Sequence, residues 1–200
     1  MTKNIVWHEE LVDRQDRNRR NKHKSGVVWF TGCPASGKST IAHHMAKEFF
    51  DRGVNCYVLD GDNVRHGINS DLGFSREDRR QNLRRIAEIS KLFVDAGIVV
   101  LAAFVSPFCE DRDTVRKIVG NDNFFEVYVK CSIETCEKRD PKGQYKKARA
   151  GLIKEYTGVS APYEVPPNPE IILDTEELDV ESSVRKVLEF LDQKKFILLM

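Results

Sequence analysis

Residues Gly32 to Ser39 read Gly-Cys-Pro-Ala-Ser-Gly-Lys-Ser and keep the spacing G-x-x-x-x-G-K-[ST]. A glycine-rich turn of this kind aims successive backbone N–H groups at one point, where the positive end of a following helix dipole also falls. The spacing therefore predicts a phosphate-binding loop made of Gly32, Cys33, Pro34, Ala35, Ser36, Gly37, Lys38, Ser39 and Thr40. In such a loop Lys38 reaches the β- and γ-phosphates of a nucleotide and the Ser39 hydroxyl ligates Mg2+. A second chemistry-bearing group is Asp60-Gly61-Asp62-Asn63-Val64-Arg65. Two carboxylates one residue apart can divide the work, one orienting the metal through water and the other accepting the proton of an attacking hydroxyl. Arg65 suits an anionic acceptor. The same residues would also make an Asx turn with no chemistry at all.

These groups need a scaffold that brings them to one crevice. Apolar runs at 27–30, 54–59, 98–105, 124–129 and 171–173 read as strands, and helical patterns fill 39–52, 76–96, 111–119, 133–138 and 180–191. Continuous rather than alternating apolar runs suit strands buried on both faces. The alternation predicts an α/β fold of three layers, with helices on both sides of a mainly parallel five-stranded sheet. The phosphate loop follows the first strand and the Asp60–Asp62 group follows the second, so both should open beyond the carboxyl ends of the strands. The third strand runs into Phe104-Val105-Ser106-Pro107-Phe108 and carries no acid there. That favours a kinase acting on a small acceptor over a motor or a switch.

Further candidates flank this crevice. Ser75 with Asp78 predicts an N-cap for the long helix, whose Leu83, Ile86, Ala87, Ser90, Phe93 and Val94 form one core-facing stripe. Arg79 and Asn82 extend that stripe toward the crevice and are candidate ligand contacts, with Arg85 a turn further on. Phe74 either stacks on a planar ring or fills core. The segment 140–169 interrupts the strand–helix rhythm and reads as a lid. Arg139, Lys142, Lys146, Lys147 and Arg149 would bring cations toward a triphosphate, or form a solvated basic helix.

Bulk properties limit the alternatives. The chain has 200 residues, 40% of them hydrophobic, 32% charged, with a formal net charge of +1. No global field favours nucleic acid or an acidic membrane, so anion recognition must be local. Five cysteines without a C-x-x-C pair argue against a disulfide framework or a zinc site and point to a reduced, cytoplasmic setting. No run is long enough to span a membrane and no secretory leader is evident. Residues 1–25 form a basic extension, read as a solvated helix or mobile arm ahead of a domain at 26–200. The closing residues 196–200 read as a packed terminus or subunit contact.

Taken together the motifs resemble the adenylylsulfate kinase family, over about residues 24–175. The resemblance is carried by Trp29-Phe30-Thr31-Gly32, the Asp60–Arg65 group, Leu72-Gly73-Phe74-Ser75 with Asp78-Arg79 and Asn82, and Phe104–Phe108. It continues through Arg139-Asp140-Pro141-Lys142-Gly143, Tyr145–Gly151, Tyr156-Thr157-Gly158 and Pro162-Tyr163-Glu164. It implies transfer of the γ-phosphate of MgATP to the 3′-hydroxyl of adenosine 5′-phosphosulfate, with ATP and Mg2+ required, and a homodimer. It implies Asp62 as base or orienting group, and Arg65, Phe74, Arg79, Asn82, Ser106, Lys142 and Tyr156 as acceptor contacts; Val105 is a further candidate contact, and Ser39 and Asp60 stay the candidate metal ligands from the residues themselves. Arg139 is implied to pack on the ATP adenine. Ser106 matches a position described as a phosphoserine, although in-line transfer needs no covalent intermediate. At this length the resemblance is to a stand-alone kinase with no sulfurylase domain.

The chain departs from the family pattern at Cys33-Pro34-Ala35-Ser36, where Leu-Ser-Gly-Ala is commoner, and Pro34 removes one backbone donor. Tyr156 replaces a commoner Phe. Two other readings remain open on residues alone: a kinase of the same fold for a sugar acid, nucleoside or shikimate, and a nucleotide-dependent switch with negligible turnover.

Overall fold

The computed structural model describes residues 4–6 and 8–196. The apolar runs form five strands: β1 (Val27–Thr31), β2 (Cys56–Asp60), β3 (Val99–Ala103), β4 (Phe124–Lys130) and β5 (Ile171–Asp174). Every pairing is parallel, in the order β2-β3-β1-β4-β5. β1 lies in the middle, with Val28 opposite Leu101 on one side and Phe125 on the other. All five residues of β1 and of β3 are buried, which is why their sequences show no polar alternation.

Two helices cover each face. α2 (Lys38–Asp51) and α7 (Val180–Gln193) pack Ile41, Met45, Phe49, Val187 and Leu191 onto Val28, Phe30, Leu101 and Val127. α3 (Arg76–Asp95) and α4 (Cys109–Val119) pack Leu83, Ile86, Ala87 and Val115 onto Val27, Trp29, Val100 and Ala102. The two stripes on α3 and α7 are thus each committed to one face of the sheet. The three-layer α/β fold and its five-stranded parallel sheet follow the expectation from sequence.

Three elements lie outside this core. α1 (Arg14–Asn21), within the basic extension, is closed by an Asp13–Asp16 capping box. It is tied to the body by Arg17 Nη1 to Asp95 (3.2 Å) and Asn21 Nδ2 to the Gly97 carbonyl (3.0 Å). α5 (Ile133–Arg139) and the short α6 (Gln144–Arg149) follow β4. Their inner faces join a small third core of Cys33, Cys131, Cys136, Tyr145, Ala148 and Tyr156, the last three from the segment 140–169. Phe196 is buried beside Phe125, with ring centroids 4.9 Å apart in a T-shaped pair; the rest of the apolar closing run lies outside the described residues.

Candidate active site

The phosphate loop links the end of β1 to the start of α2. At Gly32 any Cβ would stand 2.5 Å from the Val129 carbonyl oxygen, so the close passage over β4 requires glycine. Gly37 has φ of 106°, a left-handed conformation that a side chain would strain, and it caps α2 with no side-chain hydrogen bond. The first-turn amides of α2 are therefore left for an anion at the helix N-terminus. Lys38 is buried inside the loop, its Nζ donating to the carbonyls of Gly32 (3.0 Å) and Cys33 (2.7 Å). Burial pulls its pKa from 10.5 to about 8, against the thiols of Cys33 and Cys136 and the carboxylates of Asp60 and Asp62, which push the other way.

β2 delivers the carboxylates to the same end of the sheet. Ser39 Oγ donates to Asp60 Oδ2 at 2.6 Å, while Asp60 Oδ1 accepts from the backbone N–H of Asp62 at 2.9 Å. Asp60 thus makes the Asx turn and also reaches the phosphate loop, so the two sequence readings describe one carboxylate. The turn directs Asp62 outward, where it is exposed and ion-paired with Lys142 from the segment 140–169. Asp62 draws the Lys142 pKa upward through that contact.

Arg65, which feels the Asp62 charge, belongs to a platform of one ring and two guanidinium groups. Phe74 is 63% exposed, which removes the core-filling alternative. The Arg65 guanidinium carbon lies 4.3 Å from its centroid and that of Arg79 5.8 Å. Arg65 is held by the carbonyls of Leu72 (3.0 Å) and Gly73 (2.9 Å), and Arg79 by those of Phe74 (2.8 Å) and Glu155 (2.9 Å). Partial burial lowers the pKa of both. The Ser75 N-cap forms as expected, its Oγ accepting from the Asp78 N–H at 3.1 Å, and sets the first turn of α3 that carries Arg79.

Several candidates have other surroundings. Asn82 is buried and accepts from Asn69 Nδ2 at 2.8 Å, a partner that sequence spacing did not single out. Arg85 is bidentate to Asp71 (2.6 and 2.8 Å). Val105 is half-buried and offers its carbonyl to Thr31 Oγ1 at 2.9 Å. The Ser106 hydroxyl is turned inward: the residue is 3% exposed, accepts from Trp29 Nε1 at 3.1 Å and donates to Thr31 Oγ1 at 2.9 Å. Its φ is 37°, and the buried Arg112 grips its carbonyl at 2.6 Å. Tyr156 is also buried, edge-on to Tyr145 at 5.0 Å. Arg139 donates to the Thr175 hydroxyl (3.0 Å) and carbonyl (2.6 Å), and Thr175 in turn donates to the Ser36 carbonyl (3.0 Å). Lys146, Lys147 and Arg149 are exposed, Arg149 paired with Glu137 at 2.6 Å, which matches the solvated-helix reading.

Residues 24–174 match the model of the family described as adenylylsulphate kinase. This chain belongs to the adenylylsulphate kinase family. A probable adenylyl-sulfate kinase of Halalkalibacterium halodurans is 59% identical over 187 residues, 94% of this chain and 93% of that protein. The adenylyl-sulfate kinase of Staphylococcus carnosus is 55% identical over 98% of both chains. Among solved structures, the Mycobacterium tuberculosis APS kinase CysC in complex with AMPPNP and APS superposes with a TM-score of 0.82 at 42% identity. That match covers 85% of this chain and 99% of the other. Membership in the adenylylsulphate kinase family makes the chain an ATP-using enzyme and sets aside the switch reading. Among the described residues no helix is long and apolar enough to cross a membrane.

Proposed function

We propose that this chain transfers the γ-phosphate of ATP to the 3′-hydroxyl of adenosine 5′-phosphosulfate, giving 3′-phosphoadenosine 5′-phosphosulfate and ADP. The observation that carries the reading is the exposed Phe74 ring with the Arg65 and Arg79 guanidinium groups beside it. An exposed ring flanked by two fixed guanidinium groups suits an acceptor with a planar base and a strongly anionic tail. A sugar acid or shikimate has a carboxylate for a guanidinium group but no planar base for the ring, and a nucleoside has the base without the anionic tail.

In this reading the amides at the start of α2 and the Lys38 ammonium hold the β- and γ-phosphates and stabilise charge as it builds on the transferring group. Asp62 orients the acceptor hydroxyl and takes its proton, and Lys142 balances the carboxylate until the acceptor enters. Arg65, Arg79 and Phe74 hold the acceptor, and Arg139 lines the nucleotide base. Ser106 serves through the backbone it stiffens, with its hydroxyl committed to Trp29 and Thr31. Ser39 Oγ and Asp60 Oδ2 are hard oxygen donors side by side, a set that fits Mg2+ completed by phosphate oxygens and water. Held there, Mg2+ would supply charge neutralisation at the β- and γ-phosphates. Segment 140–169 acts as the lid that excludes water. A homodimer in a reducing cytoplasm completes the proposal.

A coupled ADP-release assay tests the acceptor. Adenosine 5′-phosphosulfate should outpace gluconate, shikimate and nucleosides by orders of magnitude, with the doubly phosphorylated nucleotide as product. Preference for another hydroxyl compound would overturn the assignment.

A further inference from the structure

The Pro34–Ala35 turn of the phosphate loop is closed by the Ser36 N–H, which donates to the Cys33 carbonyl at 3.2 Å. Pro34 has no N–H to contribute, and the next residue, Ala35, takes φ of 60° although it is not glycine. A loop whose amides converge inward must turn its carbonyls outward, and these need partners or the arch relaxes. Gly32 and Cys33 give theirs to Lys38 Nζ, and Ser36 gives its carbonyl to Thr175. The Pro34 carbonyl has a more distant partner: the hydroxyl of Tyr145, 111 residues away on α6, donates to it at 3.0 Å.

Tyr145 is 1% exposed, braced edge-on by Tyr156 and packed among Cys33 and Cys136, so its hydroxyl has little freedom to turn elsewhere. α6 itself is fastened at its start by Asp140, whose carboxylate accepts the N–H of Gln144 (2.8 Å) and of Lys146 (3.2 Å). A continuous chain of contacts therefore runs from Asp140 through α6 and Tyr145 to the apex of the phosphate loop.

We infer that Tyr145 is a positioning residue whose hydroxyl latches the segment carrying Lys142 to the phosphate loop. The latch keeps the Pro34–Ala35 arch in the shape that grips phosphate. This rests on the reading of Gly32–Ser39 as the nucleotide grip, but not on the identity of the acceptor. It makes nucleotide affinity depend on a side chain that touches no nucleotide.

The test is calorimetric titration of the full chain with ADP and with AMPPNP, neither of which involves the acceptor. Tyr145→Phe keeps the ring and removes only the donor. It should weaken both nucleotides by about 3- to 10-fold, the scale of one net hydrogen bond, with the melting temperature lowered by no more than about 4 °C. Asp140→Ala, at a partly exposed position, should weaken nucleotide by about 2- to 5-fold in the wild-type background and add nothing in the Tyr145→Phe background. Unchanged affinity in Tyr145→Phe would make the residue a core filler and overturn the inference. So would additive effects of the two substitutions, or a Tyr145→Phe loss confined to acceptor KM. Should Tyr145→Phe not fold, Asp140→Ala with wild-type affinity overturns it alone. The ADP-release assay with adenosine 5′-phosphosulfate, run in parallel, reports separately on the acceptor assignment.

Discussion

Lys142 and Asp62, eighty residues apart in the chain, form an ion pair at the mouth of the site. Their side chains are 59% and 60% exposed, and a pair so accessible contributes only about 0–1 kcal/mol. It is therefore a contact that an incoming hydroxyl can open at little cost. Asp62→Ala is expected to leave nucleotide affinity nearly intact while cutting kcat by about 100-fold or more, the scale of a lost general base. Steady-state rates beside nucleotide titrations check this, and an unchanged kcat would remove Asp62 from the proton transfer.

Lys38 supplies a pH signature. Its folded pKa of about 8 lies below the ordinary 10.5, so its charge in the protein alone is present below that value and fades above it. A polyphosphate favours the charged form, so binding above about pH 8 must take up a proton, and affinity should fall by up to about 10-fold per pH unit there. The stability sign is opposite. Between the folded and unfolded pKa values the unfolded chain holds more protons, so this group makes stability rise with pH. Titrations in buffers of differing ionisation enthalpy would detect the proton; pH-independent affinity from about pH 7 to about pH 9 would contradict the assignment. Lys38→Ala should abolish transfer.

Arg79 is fixed by the backbone carbonyls of Phe74 and Glu155, and in the proposed reading it holds the acceptor. Arg79→Ala should raise the acceptor KM by about 10-fold or more, the loss of a charged hydrogen bond, with ATP KM little changed. Equal changes in both constants would move Arg79 out of the acceptor site.

Arg112 provides a prediction about stability. Its Nε lies 2.7 Å from Glu126 Oε1, both side chains being less than one-tenth exposed, and its two terminal nitrogens hold the carbonyls of Ser106 and Glu164. Burial raises the Glu126 pKa, and the charges of Arg112 and Arg116 hold it down. Arg112→Ala strands that carboxylate and should lower stability by about 3–5 kcal/mol in urea denaturation. A loss below about 1 kcal/mol would mean that water readily replaces the guanidinium.

Much of this protein was decided by local chemistry along the chain. Buried strands such as β1 and β3 are apolar without interruption, so their positions were plain in the sequence. The loop from Gly32 to Ser39 needs a fixed run of residue types to bend back over a strand end, so it too was legible. The Ser75 cap and the α3 stripe follow from contacts within a few residues. The structure alone decided the relationships between distant segments: Lys142 on Asp62, Asn69 on Asn82, Tyr145 on the Pro34 carbonyl, and the inward turn of the Ser106 hydroxyl. Spacing encodes neighbours on one helix or strand. Which side chains from separate loops meet above a parallel sheet depends on strand order and on how the segment 140–169 packs, and neither carries a periodic trace in the sequence.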